Sequence, residues 1–76
     1  MSRWIVYSRQ GCGLCAEFMS ELVELLGNRA VDVEVVDIAD DPAMDAKYRH
    51  RIPVLTIDGD FVCSFRLDTD RVRRHL

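Results

Sequence analysis

WIVYSRQGCGLCAEF, residues Trp4 to Phe18, sets an apolar run, a polar loop and two nearby cysteines in direct succession. Trp4-Ile5-Val6-Tyr7 has no polar interruption, the pattern of a central strand buried on both faces. Ser8-Arg9-Gln10-Gly11 reads as a loop. From about Gly13 to Leu26 the apolar residues Cys15, Phe18, Leu22, Leu25 and Leu26 recur at helical steps. Glu17, Glu21 and Glu24 form a polar stripe on another face, so the segment is an amphipathic helix. Gly27-Asn28 stops it. A buried strand therefore hands over to a helix at Cys12.

The remaining chain continues the alternation. Val31, Val33 and Val35 alternate with Asp32 and Glu34, which predicts a half-buried strand. Asp41-Pro42 is a helix start, with Asp as cap and Pro in the first turn, and the helix runs to about Tyr48 or Arg49. Ile52 to Ile57 is a third strand with Pro53 at its beginning. Asp58-Gly59 is a two-residue hairpin signal. Phe61 to Phe65 returns as a fourth strand, and Asp68 caps a last helix ending at Leu76. The predicted order is β-α-β-α-β-β-α, an α/β fold. It has a four-stranded mixed sheet flanked by helices, with parallel first strands and a terminal hairpin.

Composition narrows the function classes. The chain has 76 residues, 49% apolar and 30% charged, with a net charge of −3. It reads as a single domain over residues 1–76. The net acidity argues against general nucleic-acid binding. Arg71, Arg73, Arg74 and His75 read as a solvated helix end facing the negative pole of its dipole. No stretch reaches the ~20 apolar residues of a membrane span, and the N-terminus lacks a signal peptide's apolar region. Three cysteines are an odd number, so a disulfide framework is not expected, and a reducing cytoplasmic setting is.

The strand-to-helix junction gives the two thiols different expected surroundings. Cys12 falls at the helix N-terminus, where unpaired amides and the positive dipole end favour a thiolate. It is the expected nucleophile. Cys15, almost one turn on, faces the apolar side and is the expected resolving thiol. Gly13-Leu14 carries no charge, which predicts a reducing or intermediate potential. Arg9 can supply positive charge near the thiolate and attract an anionic thiol, or stand as a solvated loop residue. Gly11, Gly13 and Leu14 are expected to line the substrate's approach. His50 with Arg51 reads as a solvated turn or as a basic rim. Structural zinc would need a second paired ligand group; only Cys63 with His50 or His75 is on offer, so no metal site is assigned. Cys63, placed between Phe61 and Phe65 on one strand face, reads as a buried inert thiol or as a third thiol near the site.

These residues resemble the glutaredoxin-like branch of the thioredoxin fold. The resemblance is carried by Val6-Tyr7-Ser8-Arg9-Gln10-Gly11-Cys12-Gly13-Leu14-Cys15, by Ile52-Pro53-Val54 and by the Asp58-Gly59 hairpin. Small bacterial glutaredoxin-like proteins with a Cys-x-Leu-Cys motif look most similar. The resemblance implies a cis Pro53 facing the cysteine pair. It also implies that the Ile52 main chain binds a peptide or glutathione, and that Arg9 is the basic residue preceding the motif. Several positions depart from the dithiol pattern. Gly-Leu stands where Pro-Tyr or Pro-Phe is usual, Arg51 stands for a threonine, and Cys63-Ser64 stands for a glycine pair. Asp68 matches the acidic cap only loosely. Thioredoxin's tryptophan before the motif is missing, and Val6 stands where it has a buried acid. The fold carries over, while glutathione as reductant does not follow.

The expected activity is thiol–disulfide exchange by a monomer. The expected partners are disulfide-bearing proteins or glutathione, with glutathione or a thioredoxin-reductase-type enzyme as reductant and no bound cofactor. The alternatives are a module holding an iron–sulfur cluster or metal through Cys12, and an adaptor whose redox pair is unused.

Overall fold

The computed structural model describes residues 2–76. Strand β1 (Trp4–Ser8) leads to helix α1 (Gly13–Leu26) and a 3-10 segment (Gly27–Asp32). Strand β2 (Val33–Asp37), a 3-10 turn (Ile38–Asp40) and helix α2 (Pro42–Tyr48) follow. The hairpin β3 (Val54–Ile57) and β4 (Asp60–Ser64) precedes the last helix α3 (Thr69–Arg73). The sheet order is β2-β1-β3-β4, with β1 parallel to β2 and antiparallel to β3. This is the expected mixed α/β sheet.

Helices α1 and α3 cover one face. Trp4, Val6, Leu55 and Ile57 from the sheet meet Phe18, Leu22 and Leu26 from α1 and Val72 from α3 in one buried cluster. Phe18 and Leu22 are at most 1% exposed. Each such side chain contributes about 1.5–3 kcal/mol by leaving water. The other face carries α2, whose Tyr48 ring packs 5.3 Å from that of Tyr7. That helix has only seven residues, too few to cover the sheet. Ile5 and Tyr7 on that face are therefore half-buried, and β1 is dry on one face only.

Four expectations need correction. The predicted strand at Val31 begins at Val33, because the backbone from Gly27 to Asp32 coils as a 3-10 helix. Val35 sits in register with buried Val6, yet it is 51% exposed. Strand β2 is the sheet edge, beyond the cover of α1. Cys63 does not share a face with Phe61 and Phe65. Leu55 pairs with Cys63 and Thr56 with Phe61, so Val62 is an extra residue in a β-bulge. The bulge turns Val62 and Cys63 inward together and leaves Phe61 and Phe65 about half exposed. The last helix ends at Arg73 rather than Leu76.

Local chemistry explains the other junctions. Asp41 caps α2, its Oδ1 accepting the Met44 amide at 3.1 Å, with Pro42 in the first turn. Asp58 and Gly59 have φ of 53° and 84°, the left-handed pair of a type I′ hairpin turn. Asp58 also binds the chain before β1: its amide donates to the Arg3 carbonyl at 2.8 Å and its Oδ1 accepts the Arg3 amide at 2.7 Å.

The register gathers the functional end of the sheet. Ser8 stands beside Asp37, Tyr7 beside Val54, and Val54 beside Ser64. The end of β1, the start of β3 and the end of β4 thus share one end of the sheet, and the cysteine motif follows directly from it. Among the described residues no helix is long and apolar enough to cross a membrane.

Candidate active site

A tight turn delivers the motif. The Cys12 amide donates to the Arg9 carbonyl at 3.3 Å, and Gly11 between them has φ +79°. Left-handed geometry at the third position defines a type II turn, which favours glycine there. Cys12 is then the N-cap of α1 in extended conformation. Its Sγ accepts the Cys15 amide at 3.1 Å, and its carbonyl accepts the Ala16 amide at 3.2 Å. Gly13 and Leu14 are exposed, and their amides form the open N-terminal end of the helix.

The two sulfurs are joined in a disulfide across a Cα–Cα distance of 5.2 Å, within the span that such bonds prefer. Their surroundings differ. Cys12 is half-buried at the rim, whereas Cys15 is 5% exposed on the α1 face that also carries Phe18 and Leu22. Leu14, between them, is 39% exposed.

The loop before β3 lies beside this end of β1. The Ile52–Pro53 bond is cis and Pro53 is fully buried. Pro53 immediately precedes Val54, the partner of Tyr7, so it lies alongside the end of β1. Its carbonyl accepts the Phe65 amide at 3.0 Å. Phe65 itself has φ +67° and is about half exposed at the same end of the sheet. Ile52 is half-buried, while His50 and Arg51 are exposed in the turn behind it. The Arg51 amide donates to the Tyr48 carbonyl at 2.8 Å.

Arg9 is not a free loop cation. Its guanidinium stands 3.5 Å from Asp45 Oδ1 on α2, while Asp45 Oδ2 accepts Arg49 Nη2 at 3.0 Å. The Asp45–Arg49 pair was legible as an i,i+4 spacing on a predicted helix. The Arg9–Asp45 pair was not, because it joins residues 36 positions apart across the fold.

Cys63 is buried in the main core, opposite Leu55. Burial pushes its thiol above the ordinary value of 9.0; the Asp68 main-chain amide pulls it back, the Asp68 carboxylate raises it and Arg71 lowers it. Among the described residues no group of three or more His, Cys, Asp or Glu side chains stands together to hold a metal ion. Two cavities, of about 410 and 540 Å³, open beside Trp4 and Leu76 and over Tyr7 and Tyr48. Neither is lined by the cysteines or Pro53.

Known proteins share this fold. The structure of protein Ne2328 from Nitrosomonas europaea is similar over 99% of this chain and 91% of its own, with TM-score 0.85 and 30% identity. Protein XcR50 from X. campestris is similar over 95% and 92%, with TM-score 0.65 and 27% identity. Thioredoxin 1 from Thermosipho africanus, at 16% identity and TM-score 0.61 over 95% and 91%, shares the fold. An uncharacterized protein of Mycobacterium tuberculosis is 27% identical over 71 residues, 87% of this chain and 73% of its own. The family described as Glutaredoxin-like domain (DUF836) matches residues 3–76. A cysteine pair at a strand-to-helix junction, a cis-proline just before β3 and that match together make the chain a member of the glutaredoxin-like domain family, with a thioredoxin fold.

Proposed function

We propose that the chain is a thiol–disulfide oxidoreductase in which Cys12 attacks and Cys15 resolves. The supporting observation is the asymmetry of the pair: Cys12 at the rim on the helix N-terminus, Cys15 buried one turn on. In the reduced protein the Cys12 thiolate attacks one sulfur of a substrate disulfide. A mixed disulfide forms, and the departing substrate sulfur leaves as a thiolate that takes up a proton. Cys15 then loses its proton and attacks the Cys12 sulfur, which releases the second substrate thiol and leaves the Cys12–Cys15 disulfide. Two electrons have passed to the substrate, which now holds two thiols. Glutathione or a thioredoxin-reductase-type enzyme returns the two electrons in a reducing cytoplasm, and no bound cofactor takes part. Gly11, Gly13, Leu14, Arg51, Ile52 and Pro53 border the approaching disulfide in this reading. Arg9 acts from the turn that carries Cys12.

The test is reduction of a protein disulfide by the full chain. Turnover is expected with the wild type and should vanish in Cys12→Ser. Cys15→Ser should accumulate a mixed disulfide at Cys12, visible by mass. Full activity in Cys12→Ser would overturn the assignment.

A further inference from the structure

Asp45 lies between two arginines and is only partly satisfied by them. Its side chain is 23% exposed. Oδ2 accepts Arg49 Nη2 at 3.0 Å, but Oδ1 is buried without a hydrogen-bond partner among the described residues and faces Arg9 Nη2 at 3.5 Å. Arg9 belongs to the turn whose carbonyl accepts the Cys12 amide. Arg9 thus stands three residues before Cys12 in the motif's own turn, and α2 holds its guanidinium through the Asp45 carboxylate.

That arrangement has a chemical consequence. A lone guanidinium beside an attacking sulfur draws carboxylate-bearing thiols and disulfides. A guanidinium already facing a carboxylate draws them less, because the incoming anion must compete with Asp45 and approaches its negative charge. We infer that Asp45 is a positioning residue acting through Arg9, and that it sets substrate preference at Cys12 by suppressing the advantage of anionic disulfides over neutral and cationic ones. This inference rests on the exchange reaction proposed above.

The test is single-turnover oxidation of the reduced full chain, which needs no external reductant. The two Cys12 and Cys15 thiols supply two electrons and two protons to each disulfide reduced. Three disulfides of different charge are compared: glutathione disulfide (anionic), bis(2-hydroxyethyl) disulfide (neutral) and cystamine (cationic). Each rate is divided by that of the neutral compound, which cancels any general change in thiol reactivity. In Asp45→Asn the relative rate of glutathione disulfide should rise about two- to fivefold and that of cystamine should fall, the range a partly exposed ion pair supports. The change should shrink at high salt. It should also disappear when Asp45→Asn is made in an Arg9→Gln background. Glu24→Gln, an equal charge change at the far end of α1, should leave both ratios alone. Asp45→Ser serves the same purpose where the asparagine variant does not fold.

Unchanged ratios in the Asp45 variants overturn the inference, and so does an equal change with Arg9 removed or in Glu24→Gln. Wild-type protein that none of the three disulfides oxidises overturns instead the proposed exchange activity.

Discussion

The sulfur of Cys12 accepts the amide of Cys15 at 3.1 Å, so the motif's first cysteine caps the helix that buries its second. One bond thus fixes a rim position and a core position at once. Reduced protein treated with limiting iodoacetamide near neutral pH should be alkylated first at Cys12, at least about tenfold faster than at Cys15 or Cys63, since reactivity follows thiolate character and access. Peptide mapping by mass reads the order. Equal labelling of Cys12 and Cys15 would show that the burial difference does not control access.

Gly11 isolates a backbone effect. Its φ is +79°, and a Cβ there would meet no atom within 4 Å. Gly11→Ala should therefore cost only the left-handed conformation of an L-residue, about 1–2 kcal/mol. Urea unfolding should show that loss with an unchanged slope. A loss above ~3 kcal/mol would mean that the turn rearranges.

Phe18 carries the core beneath the motif at 1% exposure. Phe18→Ala should destabilise the domain by about 3–5 kcal/mol, a large share of the ~5–15 kcal/mol typical of native domains. Thermal or urea melts measure it. Disulfide-exchange activity should fall in step with the folded fraction.

Asp41 gives a milder test. Removing the carboxylate that accepts the Met44 amide, in Asp41→Ala, should cost about 1 kcal/mol. Because α2 also carries Asp45, the variant should loosen the hold on Arg9 without touching the cysteines.

Cys63 predicts a pH dependence whose sign is fixed by burial. Its folded thiol titrates above the ordinary value of 9.0, chiefly because burial disfavours the thiolate. Above about pH 9 the unfolded chain has released that proton while the folded chain keeps it, so stability falls as pH rises. Below that range the contribution is fully present. As pH rises above about 9, Cys63→Val should lose less stability than the wild type in urea titrations. Parallel curves would exclude Cys63 as the source.

The first half of the chain was largely legible. The apolar run at Trp4–Tyr7, the glutamate stripe on α1 and the stop at Gly27 are local patterns, and local patterns place α1 at its observed bounds. The site's main elements followed from the same stretch. Long-range geometry was not legible. The bulge at Val62 depends on how β4 meets β3, so simple alternation put Cys63 on the wrong face relative to Phe61. Val35 looks like a buried strand residue until β2 is known to be the edge. The partner of Arg9 required α2 to fold against the motif's turn, which no spacing in the sequence encodes.

The edge position of β2 also bears on self-association. An open strand edge offers unpaired main-chain groups to any other chain, and exposed Val35 would add apolar contact. Asp32, Glu34 and Asp37 lie along or beside that edge, with Arg3 offsetting Glu34 at 3.1 Å. A second copy pairing strand to strand there would bring one acidic row against another. The same residues that interrupt the valines therefore act as charged guards against continuous sheet growth between molecules.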